Sequence, residues 1–383
     1  MSGSKQIYAL VGNWHYIPGP RGYSVFSYDP DNAQMKLLET VFPDVAAGQQ
    51  CVYEEKGIAY VVNEIGDLRG QTGGGGYVMA LQIDPATGHP TLLNEKKSLS
   101  PAPSYFCLDK TKKYGVVVHH SGFGHVTKIE RDAQGTFRSL TVFDDTAVVL
   151  FRICEDGSLG DICDVHIVQG DGPSGPHMLP HLHSVVADPS GELFLVCDKG
   201  LDKIFSFAID RENGKLICLN ETIVESGCCP RYGIFHPTLP VYYSNNEKSP
   251  DIFTFRYDTK SGALSRIAVN CMQDERNRGK ASEASDIAIH PNGRHLYVSD
   301  RGTDVICVFD IDEEGGLQLR QNVPCGGKNP RGFSFSPDGR YFIVANSDTA
   351  SLAVFRVQDN GQLTLERNDI QAVCPANIRF IQF

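Results

Sequence analysis

Apolar residues along this chain fall in short runs at strand spacing, and the i, i+3, i+4 periodicity of an amphipathic helix is nearly absent. The runs come in fours. Residues 286–319, DIAIHPNGRHLYVSDRGTDVICVFDIDEEGGLQL, and 332–365, GFSFSPDGRYFIVANSDTASLAVFRVQDNGQLTL, share one order. An apolar strand leads into an HPNG or SPDG turn and then a second strand ending in Asp or Asn. A loop, a third strand, a Gly-containing turn and a fourth strand follow. Proline, glycine, asparagine and aspartate punctuate the runs because each supplies a backbone conformation that turns require. A four-stranded unit recurring every 45–50 residues or so is the signature of an all-β propeller.

Counting six residues back from each first turn aligns the first strands at Gln50, Ser104, His183, Arg231, Ser285 and Arg331, with a further start at Ala376. The successive separations are 54, 79, 48, 54, 46 and 45 residues. After Ala376 there is room for one strand, in CPANIRFIQF, whereas QIYALVGNW and YSVFSYDP are strands without a first member. The expectation is a seven-bladed β-propeller spanning 1–383 as a single domain, its last blade closed by pairing of the C-terminal strand with N-terminal ones. The 79-residue step holds an insertion at about 121–146, read as a hairpin leaving the second-to-third-strand loop. DLRGQTGGGGY, QGDGPSGPHMLP and MQDERNRGKASEA crowd the same face, and long loops gathered on one face mark function.

Glycine (38) and proline (21) suit many short strands joined by turns. The net charge of −11 and a pI near 5.5 argue against a nucleic-acid or anionic-membrane partner, which would need a basic face. MSGSKQIYALVGNW carries no apolar signal core, and no run approaches the roughly 18 apolar residues of a membrane span. Of the twelve cysteines, Cys107, Cys197, Cys218 and Cys307 sit inside apolar runs, no CxxC pair occurs, and Cys228 and Cys229 are adjacent. Reduced, buried thiols in a soluble cytoplasmic protein are expected.

The first-strand starts of a propeller ring one mouth of its central channel, and three of them here are His183, Arg231 and Arg331. The second-to-third-strand loops add a second ring: Glu64, Lys199, Glu247, Arg301 and Ser347, each following an Asn or Asp. The Asn or Asp is the repeated turn residue, and the position after it varies, as a grafted site would. Two arginines at one level of a channel repel unless an anion or carboxylate lies between them. An ion pair of Arg231 with Glu247 is one resolution. An anionic substrate is the other, favoured by the convergence of His183 and Glu247 as proton acceptors. His183, Arg231 and Glu247 are therefore the candidate catalytic residues, with Arg331, His181, Asn246 and Ser285 as candidate substrate contacts. Lys199 and Arg301 are expected as solvated rim charges. His119, His120, His125, His177 and His181 show no metal-ligand spacing, so neither metal nor other cofactor is expected. The GGGG run precedes no helix and reads as a turn, and no GxSxG elbow occurs.

PHLHSVVADPSGELFLVCDKGLDKIFSF, PRYGIFHPTLPVYYSNNE, DIAIHPNGRHLYVSDRG and NPRGFSFSPDGRYFIVAN resemble the seven-bladed propeller lactonase family, and the resemblance covers nearly the whole chain. That family includes the propeller-type 6-phosphogluconolactonases and the 3-carboxy-cis,cis-muconate lactonizing enzymes. The resemblance implies a site of a His, an Arg and a Glu from adjacent blades plus a further Arg, which fall on His183, Arg231, Glu247 and Arg331. The insertion and HHSGFG (119–124), where the family commonly has an Asn-Tyr pair, depart from it. It implies hydrolysis of an anionic sugar lactone. Glu247 or His183 would take a proton from water, Arg231 would stabilise the oxyanion or bind a carboxylate, and Arg331 would hold a phosphate or second carboxylate. The alternatives are a muconate-type cycloisomerase and a non-catalytic propeller that binds a sugar acid or a protein partner. The expected partner is a small anionic lactone or sugar acid.

Overall fold

The computed structural model describes residues 6–14, 21–68, 71–170, 172 and 179–383. Seven four-stranded antiparallel sheets are arranged as the blades of a propeller. Their first strands are Ala47–Tyr53, Pro103–Leu108, Leu182–Ala187, Pro230–Phe235, Ala284–Ile289, Pro330–Phe335 and Pro375–Gln382, which define blades 1 to 7 in that order. Among the described residues the one helical element is a 3-10 turn, Glu54–Lys56, and no helix is long and apolar enough to cross a membrane. In blade 7 the C-terminal strand pairs with Ile7–Asn13, which leads outward to Gly22–Asp29 and Gln34–Val41.

The second strands are buried along their whole length, whereas the fourth strands alternate between exposed and half-buried. Both faces of an inner strand meet a neighbouring blade, so its residues are apolar throughout rather than alternating. Seven apolar clusters result, one at each junction between blades. At the closure Tyr8, Leu10 and Tyr23 of blade 7 pack against Ala59, Val61 and Tyr77 of blade 1. Leu10 and Val61 each contribute about 1.5–3 kcal/mol when fully buried.

Every first strand slips its register against the second near its channel-mouth end. Pro230 pairs with Asn246 but Gly233 with Ser244; Pro330 pairs with Asn346 but Gly332 with Ala345. The same shift follows Ala47, Pro103, Leu182, Ala284 and Pro375. A bulge of this kind re-aims the extra side chain. The re-aimed residues are Gly48, Ser104, His183, Arg231, Ser285, Arg331 and Ala376.

Gly48 corrects the sequence alignment, which places Gln50 there. Tyr53 and Ile58 pair across four residues, 54–57, whereas Ile289 and Leu296 pair across six, 290–295. Counting back from the turn therefore stops two residues short in blade 1. Gln50 instead lies deeper, where its amide donates to the Leu10 carbonyl (2.9 Å) and to Asn377 Oδ1 (2.6 Å).

In four blades the Asn or Asp ending the second strand fastens the entry of the first strand, Asn13 doing so through the Cys374 N–H. Asn63 Oδ1 accepts from the Ala46 N–H (2.7 Å), Asp198 Oδ1 from His181 (2.9 Å) and Asp300 Oδ1 from Glu283 (2.7 Å). The residue that follows is thereby held at the channel mouth.

The insertion forms a separate two-stranded hairpin, His125–Arg131 against Phe137–Phe143. It is exposed on both faces, with Ile129 at 79% and Phe137 at 69%. Replacing 125–143 with a short Gly/Ser linker should therefore shift the urea unfolding midpoint by less than about 1 kcal/mol equivalent, since little buried area is lost. A larger loss would mean that the hairpin braces the ring. The GGGG run, read from sequence as a turn, instead has its first two glycines in a short strand, Gln71–Gly74, paired with Asp67–Leu68; Gly73, Gly74 and Gly75 all have φ between 74° and 89°. All twelve cysteines are free thiols, with Cys197 and Cys307 buried and Cys107 and Cys218 half-buried.

Candidate functional site

Two concentric rings converge at one mouth of the channel. The seven re-aimed residues form one. The residues after the strand-ending Asn13, Asn63, His119, Asp198, Asn246, Asp300 and Asn346 form the other: Trp14, Glu64, His120, Lys199, Glu247, Arg301 and Ser347. Together they hold four cationic side chains, Lys199, Arg231, Arg301 and Arg331, and two carboxylates, Glu64 and Glu247.

Glu247 is the hub. Its carboxylate accepts from Arg231 Nε (3.0 Å), lies 3.1 Å from Lys199 Nζ, and is 3.5 Å from an Arg301 guanidinium nitrogen. Glu247, Lys199 and Arg231 are 6%, 4% and 1% exposed. The sequence expectation of Lys199 and Arg301 as solvated rim charges is thus corrected: both side chains are buried and engaged with Glu247. Burial alone would raise the Glu247 pKa, but Lys199, Arg301 and Arg231 outweigh it and hold the carboxyl well below the usual range. So buried and so depressed, Glu247 is an anionic strut.

Arg231 is fixed by more than its carboxylate. Nη1 donates to the Ser285 carbonyl of the next blade (2.8 Å), and the guanidinium lies 4.6 Å from the Tyr232 ring centroid. Arg331, 6% exposed, stacks 3.8 Å over the indole of Trp14. That contact joins blades 6 and 7 and was not foreseen. Applying the rule "residue after the strand-ending Asn" to Asn13 and to the His119 position would have found Trp14 and His120.

His183 sits among these cations. It packs edge-on against Tyr232 (5.3 Å) and His120 (5.7 Å), and among the described residues its Nδ1 has no hydrogen-bond partner. Burial first, then Arg231 and Lys199, push its pKa well below 6.5, so the imidazole is neutral at pH 7 and able to accept a proton.

The other expected contacts are placed differently. His181 lies one layer out, stacked on His120 at 4.3 Å and bonded through Nδ1 to the His120 carbonyl (2.6 Å), with Phe123 against its ring. Asn246 turns its amide onto the Asp251 carbonyl (2.8 Å) within its own loop, so it serves the turn and not the mouth. The Ser285 hydroxyl donates to the Arg331 carbonyl (2.6 Å); Ser285 bears on the site through its own carbonyl, which holds Arg231. Among the described residues no group of three or more His, Cys, Asp or Glu side chains is placed to hold a metal ion; His177 and most of QGDGPSGPHMLP lie outside the described residues. A cavity of about 670 Å³ opens at the other end of the channel, among Val52, Cys107, Ala187 and Arg379, and includes none of the ring residues.

The family model "Lactonase, 7-bladed beta-propeller" matches residues 10–380. A 6-phosphogluconolactonase of Bacillus subtilis strain 168 is 28% identical over 265 residues, 68% of each chain. Among solved structures, a periplasmic gluconolactonase of Pseudomonas aeruginosa superposes with a TM-score of 0.84 at 23% identity, covering 98% of this chain and 99% of that one. A protein from Lactobacillus plantarum gives 0.83 at 21% identity, over 98% and 99% of the two chains. At these identities the structural likeness establishes the fold.

Proposed function

Because the chain belongs to the lactonase family of seven-bladed β-propellers, we propose that it hydrolyses an anionic sugar lactone, in the manner of a 6-phosphogluconolactonase. The observation that carries this reading is the excess of buried cations around a neutral histidine. Four cationic side chains share the mouth with two carboxylates, and Glu247 engages three of them, Lys199, Arg231 and Arg301. A site of this sign is completed by an anion.

Hydrolysis requires a base for water, a cation for the developing oxyanion and a grip on the remote charge. His183 is the base: it is neutral, buried and has an unbonded Nδ1. Glu247 is unsuited, since protonating it would strip the counter-charge from three cations at once. Arg231, permanently charged and braced at Nε and Nη1, faces the lactone carbonyl and gathers the charge of the tetrahedral intermediate. Arg331, stacked on Trp14, holds the phosphate or carboxylate at the far end of the substrate.

The test is proton release on adding 6-phosphogluconolactone or δ-gluconolactone, against an enzyme-free control for spontaneous opening. Opening of the phosphorylated lactone at least about a hundredfold faster than the control is expected, with a weaker effect on the uncharged one. No acceleration of either would overturn the reading and direct attention to cycloisomerisation of an unsaturated diacid.

A further inference from the structure

Glu64 has no part in the scheme above. It follows the second strand of blade 1 as Glu247 follows that of blade 4: Ala47 pairs with Asn63 as Pro230 pairs with Asn246, so the two glutamates occupy equivalent places in the ring. Their partners differ. In blade 4 the re-aimed first-strand residue is Arg231, which pairs with Glu247. In blade 1 it is Gly48, and a Cβ built on Gly48 would lie 2.0 Å from Glu64 Oε2. The missing side chain is the space the carboxyl occupies. Among the described residues the Glu64 carboxyl makes no hydrogen bond or ion pair, although Arg331, Arg231 and Lys199 are near enough to pull its pKa down. Its backbone N–H donates to the Ala46 carbonyl (2.9 Å), which fixes the loop that carries it. One of two equivalent carboxylates is therefore locked among cations, and the other is unbonded and half-buried.

We infer that Glu64 is a second proton-transfer residue of the site, the acid that protonates the ring oxygen as it leaves; this deepens the lactonase reading and rests on it. Water loses a proton to His183 as its oxygen bonds to the carbonyl carbon. When the tetrahedral intermediate collapses, the bond from carbonyl carbon to ring oxygen breaks, its electron pair goes to the ring oxygen, and that oxygen takes the Glu64 proton. The products are a hydroxyl and a carboxylic acid, which ionises. The His183 proton then returns to Glu64 through solvent, leaving one proton released per turnover. Burial pushes the Glu64 carboxyl up to about 7 against the pull of Arg331, Arg231 and Lys199, so a substantial share is protonated at neutral pH. An anionic substrate seated among those cations would weaken their pull and raise it further.

The experiment is a pH–rate comparison of wild type, Glu64→Gln and Gly48→Ala, with carbon NMR of glutamate-labelled protein as a direct titration. An acid works while protonated, so wild-type kcat/KM should fall as pH rises through about 7, with the corresponding limb in kcat displaced upward because kcat reports the substrate complex. Glu64→Gln should lower kcat by about a hundredfold or more at pH 6 and abolish that limb, with an unchanged unfolding midpoint. Gly48→Ala keeps every charge but moves the carboxyl, and should displace the limb with a smaller loss. An active wild type without a limb near 7, or a Glu64→Gln variant that keeps both rate and limb, overturns the assignment and leaves the lactonase reading intact. A wild type that opens no lactone removes both, whatever the NMR titration shows.

Discussion

Glu247→Gln should destabilise the protein by about 3–5 kcal/mol, read as a lowered urea midpoint, and should also abolish turnover. The size follows from what remains. Lys199, Arg231 and Arg301 would keep their charges with no anion between them, and removing one partner of a buried ion pair costs about that much, because the other is left without compensation. The pH dependence has a definite sign. The folded-state pKa of Glu247 lies well below its ordinary 4.5, so its stabilisation is fully present above the unfolded value and is lost only as pH falls through the depressed one. The wild type should therefore hold its midpoint in mild acid, and the variant should lack this term at every pH. Phosphate or sulfate should partly rescue the variant by binding beside the uncompensated cations. A midpoint equal to that of the wild type would mean that water screens the cluster and that Glu247 is no strut.

Arg231→Ala should lower kcat/KM by about a thousandfold or more, roughly 4 kcal/mol of barrier, with the fold intact. Loss of one oxyanion donor accounts for about 10²–10³ of this, and loss of the guanidinium's brace on the neighbouring ring residues for the rest. The fold survives because Glu247 keeps Lys199 and Arg301. Arg231→Lys should not rescue activity. An ammonium cannot place one nitrogen on Glu247 and another on the Ser285 carbonyl while lying against Tyr232. Circular dichroism checks the fold and initial rates check the loss. Activity within about threefold of wild type, under 1 kcal/mol of barrier, would remove Arg231 from the chemistry.

The propeller, its closure and the ring carrying His183, Arg231, Glu247 and Arg331 were legible in the sequence, because the turn residues and strand-ending Asn or Asp repeat at blade spacing. Position within a ring is encoded by that repetition. Which side chains bond to one another is not, and here the reading fell short. Lys199 and Arg301 looked like rim charges because sequence carries no depth. Asn246 and Ser285 looked like ligand contacts because a repeated structural residue and a binding residue have the same side chains. Gly48 was missed because the turn after blade 1's first strand has two fewer residues between its paired ends and no proline to mark it.

The closure of blade 7 sets an order of events during synthesis of the chain. Ile7–Asn13 leaves the ribosome more than 360 residues before its inner neighbour, Pro375–Gln382. Until then Leu10 and Val11 have an open edge, and Trp14, which Arg331 stacks on, lacks the packing of Ala376. Six blades can form while translation proceeds, but the side of the mouth built from Trp14 and Arg331 is not complete. Catalytic competence is therefore withheld until the ring is complete, and a nascent chain arrested before residue 375 would bear a nearly full propeller with an unfinished site.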